Sequence, residues 1–114
     1  ESWLGVALGM AGIGMNFVIT RKYARTEVYI NRGDKKENKR IFDLLHKMKN
    51  KIETEFGEKL DWERLNDNVT SRVKVQLNGI NVAEEKDWPK MNRFMITKGL
   101  KMYEVFRNAI KNIR

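Results

Sequence analysis

The sequence predicts an α+β domain: a small, mainly antiparallel sheet of three to four strands with two helices packed on one face, in the order strand, strand, helix, strand, helix. Three observations carry this. A capped apolar stripe of helical period runs from Asp34 to Gly57, a second stripe starts at Asp87-Trp88-Pro89, and the stretches before and between them alternate apolar and polar residues. A chain of 114 residues can bury one hydrophobic core and is too short for two, so residues 1–114 read as a single domain. The chain opens on Glu1 with structure expected at once, which reads as a C-terminal fragment of a larger protein.

Trp3 to Gly12 is apolar and punctuated by glycine, the pattern of a bulged or bent strand that another backbone approaches closely. Gly9-x-x-Gly12-x-Gly14 reverses the spacing of a dinucleotide loop and leads into a strand instead of a helix, so no nucleotide loop is read there. The run Trp3 to Ile19 has no basic leader, is broken by Gly5, Gly9, Gly12, Gly14 and Asn16, and falls short of the ~20 apolar residues of a membrane span. No membrane partner is expected.

Ile13, Met15, Phe17 and Ile19 form the apolar face of the next strand; Arg21-Lys22-Tyr23 turns the chain, and Ala24, Thr26, Val28 and Ile30 face the same way on its return. So short a connection demands an antiparallel hairpin. Asp34 then caps a helix by accepting from the amide of Glu37, whose carboxylate can reach back, a capping box. Ile41, Leu45, Met48, Ile52 and Phe56 recur at intervals of four, three, four and four, and Gly57 supplies a left-handed stop. One helix over about 34–57 is expected, its stripe buried for a gain on the order of 10 kcal/mol at most.

Leu60, Trp62 and Leu65 lie too close together for another helix and Asn66-Asp67-Asn68 is a turn cluster, so this stretch reads as a connection pinned by its apolar side chains. Ser71 to Leu77 is a strand with Val73, Val75 and Leu77 inward; Asn78-Gly79 ends it or turns it into a hairpin. The last helix, about 87–112, begins with Asp87 as cap and Pro89 in its first turn, and carries Met91, Phe94, Met95, Met102, Val105, Phe106, Ala109 and Ile113. This arrangement leaves Arg25, Glu27, Tyr29, Arg72, Lys74 and Gln76 on the open sheet face, a candidate interaction surface.

Composition narrows the chemistry. Without cysteine there is no disulfide framework and no thiolate zinc site, and one histidine makes no histidine-rich site, so neither metal nor cofactor is expected; a reducing cytoplasm fits. The net charge of +8 is uneven: residues 21–40 sum to +5, residues 53–67 to −4 and residues 90–114 to +6. His46 lies on the helix flank with no cysteine or second histidine beside it and reads as a surface residue. Glu58, Asp61, Glu63 and Asp67 are the nearest approach to a magnesium-holding carboxylate cluster, but arginine follows where a nuclease wants lysine, and solvated charges are the simpler reading. Trp62 and Trp88 read as core plugs with satisfied indoles.

Thr26-Glu27-Val28-Tyr29-Ile30, Asn38-Lys39 with Phe42-Asp43, Ile52-Glu53 with Phe56-Gly57, Leu60 with Trp62-Glu63, Ser71-Arg72-Val73 and the late Trp88-Pro89 occur in an order and spacing that resembles the family catalogued as domain of unknown function 4268, over roughly residues 12–110. The resemblance implies a small prokaryotic domain at the C-terminal end of longer proteins, often after a nuclease-like domain of the PD-(D/E)XK type, and it brings no assigned catalytic residues. With Arg21, Lys22, Arg32, Lys35, Lys36, Lys39 and Arg40 around the hairpin tip and the helix start, the expectation is a non-enzymatic, nucleic-acid-associated accessory domain that holds DNA phosphates without base readout beside a linked nuclease-like module. The alternatives are a protein-interaction or homodimerisation module and, less in keeping with the residues, a metal-dependent nuclease.

Overall fold

The alternation read from the sequence becomes a twisted antiparallel sheet in the computed structural model, which describes residues 2–114, with side chains from Gly5 onward. The strands are β1 (Ser2–Met10), β2 (Ile13–Ile19), β3 (Tyr23–Ile30), β4 (Asp61–Glu63) and β5 (Ser71–Asn78); the helices are α1 (Lys35–Lys47), α2 (Lys49–Phe56) and α3 (Trp88–Ile113). Sheet order is β1-β2-β3-β5-β4, with every neighbouring pair antiparallel. The fold class is therefore α+β with five strands and three helices among the described residues, against the three to four strands and two helices expected.

Each added element has a local cause. The apolar opening is a full strand, β1, with a register shift between Ala7 and Met10, the bulge its glycines suggested. The connection after Gly57 contributes β4, only three residues long, at the far edge. The expected long helix is interrupted at Met48, whose amide donates to Leu45 O at 2.9 Å, a bond three residues back that tightens the turn. This break falls at the single three-residue interval in the apolar spacing. Asp34 caps α1, its Oδ2 accepting from the Glu37 amide at 3.1 Å, and Gly57 ends α2 in the left-handed conformation, φ 95°. The Gly57 stop follows the sequence reading, and so does the Asp34 cap; the capping box is half made, because the Glu37 carboxylate accepts from Arg40 instead of reaching back to the cap amide.

The start of α3 departs from it. Asp87 makes no cap; its Oδ2 accepts from the Asn81 amide at 2.9 Å, and a 3-10 turn over Glu85–Asp87 leads into the helix. Asn78-Gly79 ends β5 without a following strand.

α3 lies across β1, β2 and β3, while α1 packs on β3 and β5 and α2 packs against α1 and α3. Leu8, Ile13, Met15, Val28, Ile30, Ile41, Leu45, Ile52, Val73, Met102 and Phe106 are buried between the layers. Gly99 permits the close approach of α3 to the sheet: a Cβ there would stand 2.4 Å from Cε1 of Phe17. The registers Arg25↔Gln76, Glu27↔Lys74 and Tyr29↔Arg72 put the six expected residues together on the open face.

Candidate functional site

Asn38 and Lys39 open the site. An amphipathic helix should turn polar and charged side chains to water, yet both are buried, because the chain from Arg64 to Ser71 folds over them. Asn38 accepts from the Arg32 amide at 2.8 Å and donates to Val69 O at 2.8 Å. Lys39 Nζ stands 2.5 Å from Arg64 O, 2.9 Å from Leu65 O, 2.6 Å from Thr70 O and 2.8 Å from Ser71 Oγ. Burial pushes its pKa down, with Arg64 and Lys35 adding to the effect. Four oxygens around three N–H donors leave this ammonium nothing to offer a phosphate. Leu65, at φ 55°, bends the chain so that its carbonyl can point at Lys39.

The same connection is tied at two more points. Asp43 receives Arg64 through two bonds, 2.9 and 3.1 Å, and the guanidinium holds its carboxyl below the usual range. Glu53 accepts from the Leu60 amide at 2.8 Å and the Trp62 indole at 3.1 Å. The Leu60 amide lowers the Glu53 pKa, burial opposes it, and the Trp62 indole adds to the lowering. A carboxylate depressed in the fold contributes stability above its unfolded pKa of about 4.3, and that contribution is lost as pH falls through the folded value. Replacing Glu53 by Gln should therefore flatten the decline of urea midpoints between about pH 5 and pH 3. Parallel declines in variant and wild type would remove Glu53 from acid sensitivity.

Trp62 packs half-buried against Phe42, His46 and Phe106, the plug expected of it. Trp88 is instead 47% exposed, its indole donating to Val82 O at 2.8 Å, because α3 starts beyond the edge of the core.

The seven basic residues do not form one cluster. Arg21 and Lys22 sit at the β2–β3 turn and Arg32 beyond the other end of β3, an eight-residue strand, so roughly 25 Å separates them. Arg40 grips Glu37 through two bonds of 3.0 and 2.6 Å. Arg32 donates to Ala11 O at 2.8 Å and lies 3.9 Å from Glu37. Lys35 and Lys36 are exposed without ion pairs among the described residues, and Lys39 is the buried clamp.

The open face is a ladder of paired charges. Glu27, 3% exposed, accepts from Arg25 at 2.5 Å, and Arg72 lies 3.9 Å away; Arg72 donates to Glu63 at 2.7 Å, and Lys74 is 3.5 Å from the same carboxylate. Burial pushes Glu63 up, but Arg72 and Lys74 outweigh it and its pKa falls below the usual range. Arg25 stacks over Tyr23, and Lys74 also donates to Gln76 at 3.3 Å. The five strands hold three basic residues, Arg25, Arg72 and Lys74, against three acidic ones, Glu27, Asp61 and Glu63.

At the β4 edge a shallow hollow of about 480 Å³ is lined by His46, Lys49, Leu60, Asp61, Trp62, Glu63 and Lys74. His46 lies there stacked on Phe42, exposed as expected. Glu58 pairs with Lys98, away from Asp61 and Glu63. Among the described residues no three of histidine, aspartate and glutamate converge where an ion could sit.

Positions that carried the resemblance, Asn38, Lys39, Asp43, Glu53 and Trp62, thus meet around one connection as its fastenings. A family model described as domain of unknown function (DUF4268) matches residues 1–110. The chain belongs to that family. No curated protein and no solved structure matches it. Within DUF4268, then, this sequence pattern serves in the present chain to fasten the 57–71 connection to α1 and α2. Sequence reasoning singled out these positions but had no signal for burial of a lysine, since its four acceptors come from residues 25 to 32 positions away.

Proposed function

We propose that this DUF4268 domain is a nucleic-acid-associated accessory module that holds phosphates without base readout, and that α3 is its contact surface. The observation that carries the reading is the separation of charge between the two layers. The strands balance, whereas residues 88–114 hold seven basic side chains and one acidic, Glu104. Lys90, Arg93, Lys101, Arg107 and Lys111 are exposed along one side of the helix, and none of them is in an ion pair among the described residues. A helix of 26 residues is about 39 Å long, comparable with a turn of duplex. Basic side chains spaced along it suit a polyanion, and no base-stacking aromatic row accompanies them. The family resemblance supports a linked nuclease-like domain as the setting.

Gel shifts with a short duplex at about 50 and about 200 mM salt test this. With about four phosphates engaged, the logarithm of affinity should fall against log salt with a slope of about −4. Lys101→Ala, Arg107→Ala and Lys111→Ala together should flatten the slope by about three, whereas Lys36→Ala with Arg40→Ala should change it by less than about one, since Glu37 already neutralises Arg40. Absence of binding at low salt, or a slope indifferent to the α3 changes, would overturn the proposal.

A further inference from the structure

The side of α3 turned to solvent is not uniformly polar. Met91, Met102, Val105, Phe106 and Ala109 are buried, yet Ile96 and Leu100 are 63% and 61% exposed, the two most exposed large apolar side chains described. Arg93, Ile96, Leu100, Arg107 and Lys111 follow one another at three, four, seven and four residues, which puts all five on one outward stripe. The apolar pair thus stands within the basic row, with Arg93 before it and Arg107 and Lys111 after it.

Arg107 is held in a set position on that stripe. Glu104, the one acid of this helix, stands three residues before it, but Arg107 donates instead to the hydroxyl of Tyr103, and its guanidinium lies over that ring, 5.6 Å from the centroid. Tyr103 packs partly buried against the core, so it gives the guanidinium a fixed support. An exposed guanidinium supported in this way can take the face of a base.

We infer that the polynucleotide held along α3 is single-stranded, with its phosphates on the basic side chains and the faces of its unpaired bases against Ile96, Leu100 and Arg107. The inference rests on the nucleic-acid reading above and adds the state of the strand to it. A duplex turns phosphates and sugars outward and keeps its base faces stacked, so it has no apolar surface to lay on an outward pair of aliphatic side chains between cations. Nor can the pair read a duplex by hydrogen bonds in a groove, because neither side chain has a donor or an acceptor. An unstacked base face needs neither. It gains by covering apolar surface whatever the base, so the contact stays independent of sequence. Two aliphatic side chains covered in this way should account for about a tenfold difference in affinity.

Probes of equal length separate phosphates from bases. Oligothymidylate, a strand of abasic sugars and a mixed-sequence duplex are each titrated by fluorescence anisotropy at about 50 and about 200 mM salt. The wild type should bind oligothymidylate about tenfold more tightly than the abasic strand, which carries the same phosphates and no base. At the higher salt, where phosphate attraction is weakened, it should also bind oligothymidylate more tightly than the duplex. Ile96→Ser with Leu100→Ser should remove most of the tenfold advantage and leave duplex affinity and the salt slopes as in the wild type, since no charge changes. Both residues are exposed, so circular dichroism and urea midpoints should stay near wild type, and the abasic comparison needs no variant. Equal binding of oligothymidylate and the abasic strand, or a duplex bound more tightly than oligothymidylate at the higher salt, would overturn the inference and leave the phosphate-holding reading in place. Failure to bind any of the three would overturn both.

Discussion

Lys39→Met should cost this domain about 3–5 kcal/mol, because it leaves four oxygen atoms facing an apolar methyl group where an ammonium stood. The methionine fills nearly the same space, so packing is not the cause. Three of the four acceptors are backbone carbonyls that cannot turn away without moving the connection, and Leu65 sits at φ 55° to present its carbonyl at all. The midpoint of urea unfolding should fall with little change in slope, and thermal unfolding should drop by more than about 10 °C. Amides from Arg64 to Ser71 should exchange faster than those of β2 and β3, since the clamp fastens only that segment to α1. A loss below about 1 kcal/mol would show that water replaces the ammonium readily and that the clamp is incidental.

Gly12→Ala should cost about 2–4 kcal/mol from the opposite end of the same fastening. Gly12 has φ 81°, a conformation that costs an L side chain about 1–2 kcal/mol. The added Cβ would also stand 2.6 Å from Asn31 O and 2.8 Å from Arg32 Cα, both backbone atoms. Gly12 O accepts from the Asn31 amide at 2.7 Å, so the β1–β2 turn cannot retreat without breaking that bond. The strain would pass along the chain of contacts from Asn31 and Arg32 to Asn38 and on to Val69. Chemical denaturation measures the loss. Gly33→Ala provides the comparison: its φ is 87° but nothing lies within 4 Å of the added carbon, so only the conformational part should appear. Equal losses at the two positions would mean that the turn has room to relax.

What the sequence determined by itself is what short-range chemistry decides. Asp34 and Glu37 are three residues apart, so the cap is complete without any other part of the fold. Gly57 stops α2 because only its own backbone has to adopt the left-handed conformation. The β2–β3 hairpin and the inward faces of β3 and β5 follow from alternation at a period of two, which one buried face enforces along the whole strand. The six open-face residues were legible for the same reason.

Tertiary structure alone decided the rest. The fates of Lys39 and Arg32 depend on partners distant in sequence: Lys39 finds carbonyls at 64, 65 and 70, and Arg32 finds the carbonyl of Ala11. Arg40, paired three residues away, and Arg25, paired with Glu27 two residues away, are the ones whose neutralisation the sequence could have shown. β4 exists because β5 offers an edge to Trp62, not because Asp61-Trp62-Glu63 has a strand pattern of its own. The same holds for β1: its apolar composition is visible in the sequence, but that it lies outermost is fixed by the sheet order. Strand order reflects which pairs bury the most apolar surface over the core, a property of the assembled layers that no local window of residues contains.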